Sequence, residues 1–113
     1  MTEQGKEIVK KEEIPGTIEF AKKHASLGRV ELVEFALGFI PELTMDEGSL
    51  ILAEAFRNRA QGDLEEAKAF KELSLIETAP MRKGLVSQKA EELEAKAKRE
   101  FDEVKRLENV FSS

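Results

Sequence analysis

Apolar residues recur every three or four positions along most of the chain, and this spacing predicts amphipathic α-helices. Glycine or proline follows most of these segments and predicts where each helix ends. Five helices are predicted, at about residues 17–27, 30–39, 44–61, 63–76 and 82–111. The sequence therefore indicates an all-α protein.

The second segment, residues 30–39, is the one for which a strand is the alternative. It is apolar on nearly every side, and its β-branched and aromatic residues also suit a strand. Glu31, Glu34 and Ala36 favour a helix. A helix that is apolar all round is buried on most of its sides, so we expect this one to supply much of the core.

Two capping boxes predict how the middle of the chain folds. Thr44 and Glu47 stand at the start of the third helix, and Asp63 and Glu66 stand at the start of the fourth. Between these helices, Gly62 permits a tight reversal. The predicted architecture is two antiparallel hairpins followed by one long helix, at about residues 17–40, 44–78 and 82–111.

The two predicted hairpins are related by a 34-residue spacing, which separates Gly28 from Gly62. Residues at the same spacing also correspond, namely Ala21 with Ala55, Val30 with Leu64 and Glu31 with Glu65. Helix-turn-helix units of this period are typical of tetratricopeptide repeats. The second unit resembles that family at its small, glycine, acidic, alanine and closing proline positions, which are Ala55, Gly62, Asp63, Leu64, Ala67 and Pro80.

The resemblance covers about residues 15–80 and implies stacked helical hairpins with an inner binding groove. Glu54 and Asn58 depart from apolar and aromatic positions of the family, and no third period follows near Lys96. Because three repeats are normally needed for a stable array, the long last helix would act as a cap. An ordinary antiparallel helical bundle with coincidental spacing is the alternative.

Composition also bounds the domain organisation and the location. Residues 1–13 are polar apart from Ile8 and Val9, which predicts a flexible or partly helical N-terminal tail before a single helical domain at 14–113. No apolar run approaches the ~18 residues of a membrane-spanning helix, and the N-terminus has no signal-peptide core. We therefore expect a cytoplasmic protein that does not contact membranes.

Charged residues make up 36% of the chain, against roughly 25% in ordinary domains. An excess of Glu and Lys is typical of thermophilic proteins, and it is equally typical of long solvent-exposed helices. The net charge of −5 argues against a dedicated nucleic-acid-binding protein, which needs a basic face.

The residues that usually carry catalysis or bind metals are scarce. The chain has no cysteine and one histidine, His24, which lacks the neighbouring carboxylate or histidine partners of zinc and di-iron sites. Adjacent acidic pairs such as Glu65-Glu66 point about 100° apart on a helix and cannot share a site. The sequence thus predicts no catalytic residue, no metal site and no cofactor, and a protein that is not an enzyme.

Four cations form a candidate binding patch. Lys22 and Lys23 lie on the first predicted helix, and Arg57 and Arg59 lie on the third, the two helices that would line the inner groove. Arg and Lys bind carboxylate and phosphate groups, so the patch is a candidate contact for an acidic peptide or a nucleic-acid backbone. The alternative is that these charges only solvate helix faces.

The C-terminal helix is a candidate for self-association. Its apolar residues are spaced mostly three and four apart, with a stutter between Ala97 and Phe101. A helix of about 28 residues is ~40 Å long, which exceeds what a small domain covers, so part of this stripe is expected to be exposed. The self-association candidates are Leu93, Phe101, Val104, Leu107 and Phe111.

Together these features predict a non-catalytic helical module for protein–protein interaction or assembly. It is expected to form a homodimer through the C-terminal helix and to bind a protein partner. The alternative hypothesis is an accessory subunit of a nucleic-acid-handling complex that uses the four-cation patch.

Overall fold

The computed structural model describes residues 13–109, and within them the chain is helical with no strand. Four helices follow one another, α1 (Ile18–Ser26), α2 (Val30–Leu37), α3 (Met45–Ile76) and α4 (Pro80–Asn109). The predicted all-α class is therefore confirmed, and the segment with the strand alternative is helix α2. The predicted tail, up to residue 12, lies outside the described residues. Among the four helices, none combines the length and the apolar composition that crossing a bilayer requires.

The first predicted hairpin is confirmed as α1 and α2, which are joined at Gly28. Thr17 caps α1, because its side chain accepts a hydrogen bond from the backbone N–H of Phe20 at 3.1 Å. Gly28 has a φ of +71°, and the backbone nitrogen of Arg59 lies only 3.0 Å from where a Cβ would stand. The hairpin packs on α3 through a buried cluster, formed by Ala21, Ala25, Val30, Val33, Ile51 and Ala55.

The predicted turn at Gly62 is wrong, because α3 runs without interruption from Met45 to Ile76. The start of this helix is as predicted: the side chains of Thr44 and Glu47 each accept a hydrogen bond from the backbone N–H of the other. One glycine in a helix interior costs about 1 kcal/mol relative to alanine. Burying a long face of α3 against α4 outweighs that cost.

The second predicted hairpin, 44–78, is replaced by a longer hairpin between α3 and α4. Its reversal lies after α3, where the carboxylate of Glu77 accepts hydrogen bonds from the backbone N–H groups of Thr78 and Ala79, both at 3.1 Å. Asp63, the predicted cap of a fourth helix, instead faces Lys96 on α4. Residues 13–109 therefore show no tetratricopeptide-like repeat, since the second unit lies within one continuous helix.

α3 and α4 form an antiparallel coiled coil. Ion pairs join Arg57 to Glu108 and Lys71 to Glu94, so residue numbers rise along one helix as they fall along the other. Three buried alanines stand seven residues apart on α3, at Ala53, Ala60 and Ala67. The buried residues of α4 alternate three and four apart, at Ala90, Leu93, Ala97, Glu100, Val104 and Leu107. This is heptad spacing, and the small alanine side chains let the two helices approach closely.

The seam of α4 passes through Glu100 rather than through Phe101, so the predicted stutter is absent. Glu100 is buried, whereas Phe101 is only half-buried. With Glu100 included, the heptad pattern runs unbroken from Ala90 to Leu107. A charged residue is rarely buried, which is why an apolar pattern alone assigned the seam position to the adjacent phenylalanine.

Replacing Gly62 with alanine tests whether α3 is continuous. Gly62 is exposed, and a Cβ there would meet no atom within 4 Å. Because alanine stabilises a helix interior by about 1 kcal/mol relative to glycine, Gly62→Ala should raise the urea midpoint followed by circular dichroism. A turn at this position would make the same change destabilising.

Gly28→Ala is the matched substitution with the opposite expected sign. Its positive φ and the close backbone of Arg59 leave no strain-free place for a methyl group, so the urea midpoint should fall.

Candidate functional site

Two of the four cations in the candidate patch are neutralised within the chain. Arg57 donates to Glu54 at 2.7 Å and also pairs with Glu108. Arg59 is engaged by carboxylates on two other helices, as described below. Lys22 and Lys23 are exposed on α1 and have no ion pair among residues 13–109. The patch therefore offers two unpaired cations rather than four, and binding by it stays a prediction.

The apolar seam of α4 is used inside the chain. Leu93, Val104 and Leu107 are buried, and the last two pack with Ala53 of α3. Leu93, Val104 and Leu107 are therefore not part of an exposed stripe, because α3, with 32 residues, packs along the 30-residue α4. Phe101 is half-buried, and Phe111 lies outside the described residues.

A cluster of charged residues extends from the seam of the coiled coil to α2. Glu100 is only 6% exposed, and its Oε2 is 2.8 Å from Nε of Arg59. The same guanidinium donates to both carboxylate oxygens of Glu31 on α2, at 3.0 and 2.9 Å. Lys96 lies 3.4 Å from Oδ2 of Asp63 and 4.0 Å from Glu100. Arg59 therefore connects three helices.

Two carboxylates in this cluster compete for too few donors. Oδ2 of Asp63 and Oε1 of Glu100 are buried without a hydrogen-bond donor, since Lys96 makes only an ion-pair contact with Oδ2. Burial raises the pKa of Glu100 to about 7, and the adjacent Asp63 carboxylate adds to the shift as a hydrogen-bond acceptor and as a negative charge. Lys96 and Arg59 oppose these effects. Near neutral pH, the protonated Glu100 can therefore donate to Asp63.

An open groove of about 380 Å³ lies beside this cluster, and charges of both signs line it. Three cations and four carboxylates face it, namely Arg59, Lys96, Arg99, Glu31, Glu34, Glu100 and Glu103. Opposite charges so close together leave no strong field of one sign that would attract a ligand. A buried polar residue in a coiled-coil seam instead sets the register of the two helices, at some cost in stability.

His24 takes part in local packing on α1. Its ring lies against that of Phe20, with the centroids 4.4 Å apart, and its Nδ1 is 3.0 Å from Nη1 of Arg29. Partial burial and the positive charges of Arg29 and Lys23 lower the pKa of His24. Within residues 13–109, no group of three or more His, Asp or Glu residues is placed to hold a metal ion.

The outer face of α1 and α2 carries an apolar groove of about 470 Å³, which we call the α1–α2 groove. It is lined by Pro15, Gly16, Phe20, Leu32, Phe35, Ala36 and Phe39. Phe35 is 66% exposed, and its ring makes an edge contact with that of Phe39 at a centroid distance of 4.8 Å. Two phenylalanines of the core-forming segment thus face outward.

A second apolar surface caps the α3–α4 hairpin, and we call it the apex. It consists of Leu75 and Ile76 at the end of α3 and Met81 and Leu85 at the start of α4. The first three are 79%, 75% and 80% exposed. They stand at coiled-coil positions that point away from the partner helix. Further along α4 most outward positions are charged, at Glu91, Glu92, Lys98, Arg99, Asp102, Lys105 and Arg106.

Sequence reasoning missed both surfaces. It placed Ile76 at the end of a separate helix at 63–76, and it assigned Phe35 to a helix buried on most sides. The signal for the apex was the heptad register, which becomes readable only when α3 and α4 are recognised as one hairpin. In that register, apolar residues at outward positions occur at the apex.

Comparisons with known proteins give no further information on the identity of the chain. No protein-family model, no curated protein and no solved structure matches it. Inference about its function therefore rests on its own sequence and surfaces.

Proposed function

We propose that the chain is a non-catalytic helical module for protein–protein interaction and assembly, which binds through the apex and the α1–α2 groove. The observation that carries this proposal is the clustering of large, strongly exposed apolar side chains at these two places. Contiguous exposed apolar surface marks association sites in soluble proteins.

Burying one Leu, Ile or Met side chain contributes about 1.5–3 kcal/mol. The four apolar residues of the apex gain only a small part of this in the isolated chain, because the coiled coil uses other positions for its seam. A partner that covered them would therefore bind with a substantial hydrophobic contribution.

The architecture also suits an assembly role. A helix of 32 residues is ~48 Å long, and pairing with α4 makes it a two-helix rod. The rod holds the apex away from α1 and α2, which bind α3 through a hydrogen bond at Asn58 and an ion pair at Arg59, in the first half of that helix. Two separate contact surfaces on one rigid body are what a connecting module needs.

Surface variants test this function. The apex pair Leu75→Glu with Ile76→Glu and the groove substitution Phe35→Glu add charge to exposed positions and should leave helicity unchanged. Gln61→Glu with Ala69→Glu adds the same charge to exposed sites of α3 and is the control.

Each immobilised protein is exposed to a native extract of the source organism, and the retained proteins are quantified by mass spectrometry. We expect a specific set, further copies of the chain included, that the control retains and that at least one surface variant loses about tenfold or more. Equal retention by all variants would contradict the proposed function.

A further inference from the structure

We propose that two copies of the chain associate reciprocally, each placing its apex in the α1–α2 groove of the other. This inference rests on the proposed function and names the partner as a second copy. The same contact occurs twice in the dimer and covers the apex and the α1–α2 groove of both copies. Self-association then uses these two surfaces in place of the predicted surface on α4.

The two surfaces have complementary charge. The hairpin end at residues 68–89 carries five cations, Lys68, Lys71, Arg82, Lys83 and Lys89, against two anions, Glu72 and Glu77. Its net charge is therefore +3, or +2 when Lys71 is left out because Glu94 of α4 neutralises it, in a chain whose net charge is −5. Residues 13–42, which form the groove, carry five glutamates against three cations and have a net charge of −2, or −1 when Glu31 is left out because Arg59 of α3 neutralises it. Complementary potentials steer association and favour this pairing over apex on apex or groove on groove.

The shapes of the two surfaces also correspond. The apex is convex, since its apolar residues surround the tight reversal between α3 and α4. The α1–α2 groove is concave and apolar, with Phe20, Leu32 and Phe35 in its walls. A convex apolar tip that enters an apolar groove removes both from water in one step.

The length of the rod permits the reciprocal arrangement. From Arg59, where α2 is still held by its ion pair with Glu31, α3 continues for 17 residues to Ile76. At 1.5 Å per residue this free part extends ~25 Å beyond the contact with α2. When two rods lie side by side in opposite directions, each apex reaches the α1–α2 end of the other copy. A two-fold axis then repeats the contact and closes the assembly as a dimer.

Sedimentation velocity tests the reciprocal dimer with two variants that each remove one surface. The apex variant carries Ile76→Glu and Met81→Glu, and the groove variant carries Phe35→Glu and Phe39→Glu. The wild-type chain should sediment as a dimer, and the dimer dissociation constant of each variant alone should be about tenfold higher or more. An equimolar mixture of the two variants should regain a dimer of intermediate affinity, because one intact apex then meets one intact groove.

Several results would overturn the proposal. A groove variant that remains fully dimeric would indicate apex-on-apex contact, and a mixture that stays monomeric would exclude reciprocal insertion. Circular dichroism verifies folding, and the single substitution Phe35→Glu serves if the double groove variant loses helicity.

If the wild-type chain is monomeric but another protein is still retained through the apex or the groove, only the reciprocal dimer is overturned. If the wild-type chain is monomeric and no protein is retained, the proposed function is overturned as well. Cosedimentation of a monomeric chain with anionic phospholipid vesicles, lost in the apex variant, would assign the apex to a membrane surface instead.

Discussion

Val104→Glu is expected to destabilise the fold by about 3 kcal/mol or more, and to lower helicity at room temperature. Val104 is 5% exposed and packs in the cluster that joins α4 to α3. A carboxylate at this position would be buried among apolar side chains without a partner. Urea denaturation monitored by circular dichroism measures the loss.

Lys105→Glu is the matched control, since it introduces the same residue one position along the helix at an exposed site. Its effect should stay within about 0.5 kcal/mol. The two interpretations of α4 differ clearly here. If its apolar stripe were an exposed dimer surface, Val104→Glu would separate the subunits and leave the unfolding midpoint of the monomer almost unchanged.

Glu100→Gln is expected to stabilise the protein at pH 8 and to reduce the dependence of its stability on pH. Glutamine is neutral, its oxygen can still accept from Nε of Arg59, and its amide can donate to the Asp63 carboxylate. It therefore imitates the protonated form of Glu100, for which the structure provides both partners.

The direction of the pH effect follows from the pKa of Glu100, which is raised from 4.5 to about 7 on folding. Below pH 4.5 both the folded and the unfolded chain hold this proton, and the stabilising contribution is complete. As the pH rises, the unfolded chain releases the proton first, so the free energy of unfolding falls until the pH passes the folded pKa. The expected loss between pH 5 and pH 8 is on the order of 1–3 kcal/mol.

Glu103→Gln provides the comparison for this prediction, one turn further along α4. A hydrogen bond from Arg106 lowers the pKa of Glu103, so its titration acts in the opposite direction and at lower pH. This variant should retain the wild-type slope of stability between pH 5 and pH 8. If Glu100→Gln retained that slope too, the raised pKa of Glu100 would be excluded as the source of the slope.

Local sequence signals predicted the parts of the fold that local chemistry determines. The capping box at Thr44 and Glu47 forms as expected, and the reversal at Gly28 occurs because only glycine takes its positive φ without strain. These features need information from a few neighbouring residues. They were therefore readable without knowledge of the tertiary structure.

The predicted turn at Gly62 was wrong because tertiary packing, rather than local chemistry, determines the structure at this position. Gly62-Asp63 followed by Glu66 is a sound local signal for a new helix, but α4 offers α3 a partner along its whole length. Tertiary burial overrides a local preference of about 1 kcal/mol. The same partner explains why the predicted self-association residues Leu93, Val104 and Leu107 are interior.

The candidate surfaces could be predicted only after the correct hairpin was known. Whether Ile76 is buried or exposed depends on which face of α3 meets α4, and a single sequence does not state that pairing. Glu100 is a second residue whose burial a single sequence does not predict. Its burial depends on the ion pair with Arg59, which lies on α3 and meets Glu100 only in the assembled coiled coil.

The contact between apex and groove can be measured most directly by cross-linking, because the chain contains no cysteine. One set of molecules carries Thr78→Cys at the exposed apex, a second set carries Leu32→Cys in the groove, and a short bismaleimide joins them after mixing. Lys98→Cys, at an outward position of α4, replaces the groove cysteine in the control.

The reciprocal dimer predicts a cross-linked product that contains one Thr78→Cys chain and one Leu32→Cys chain, well above the yield with Lys98→Cys. A yield no higher than that of the control, or products formed only between two Thr78→Cys chains, would contradict it.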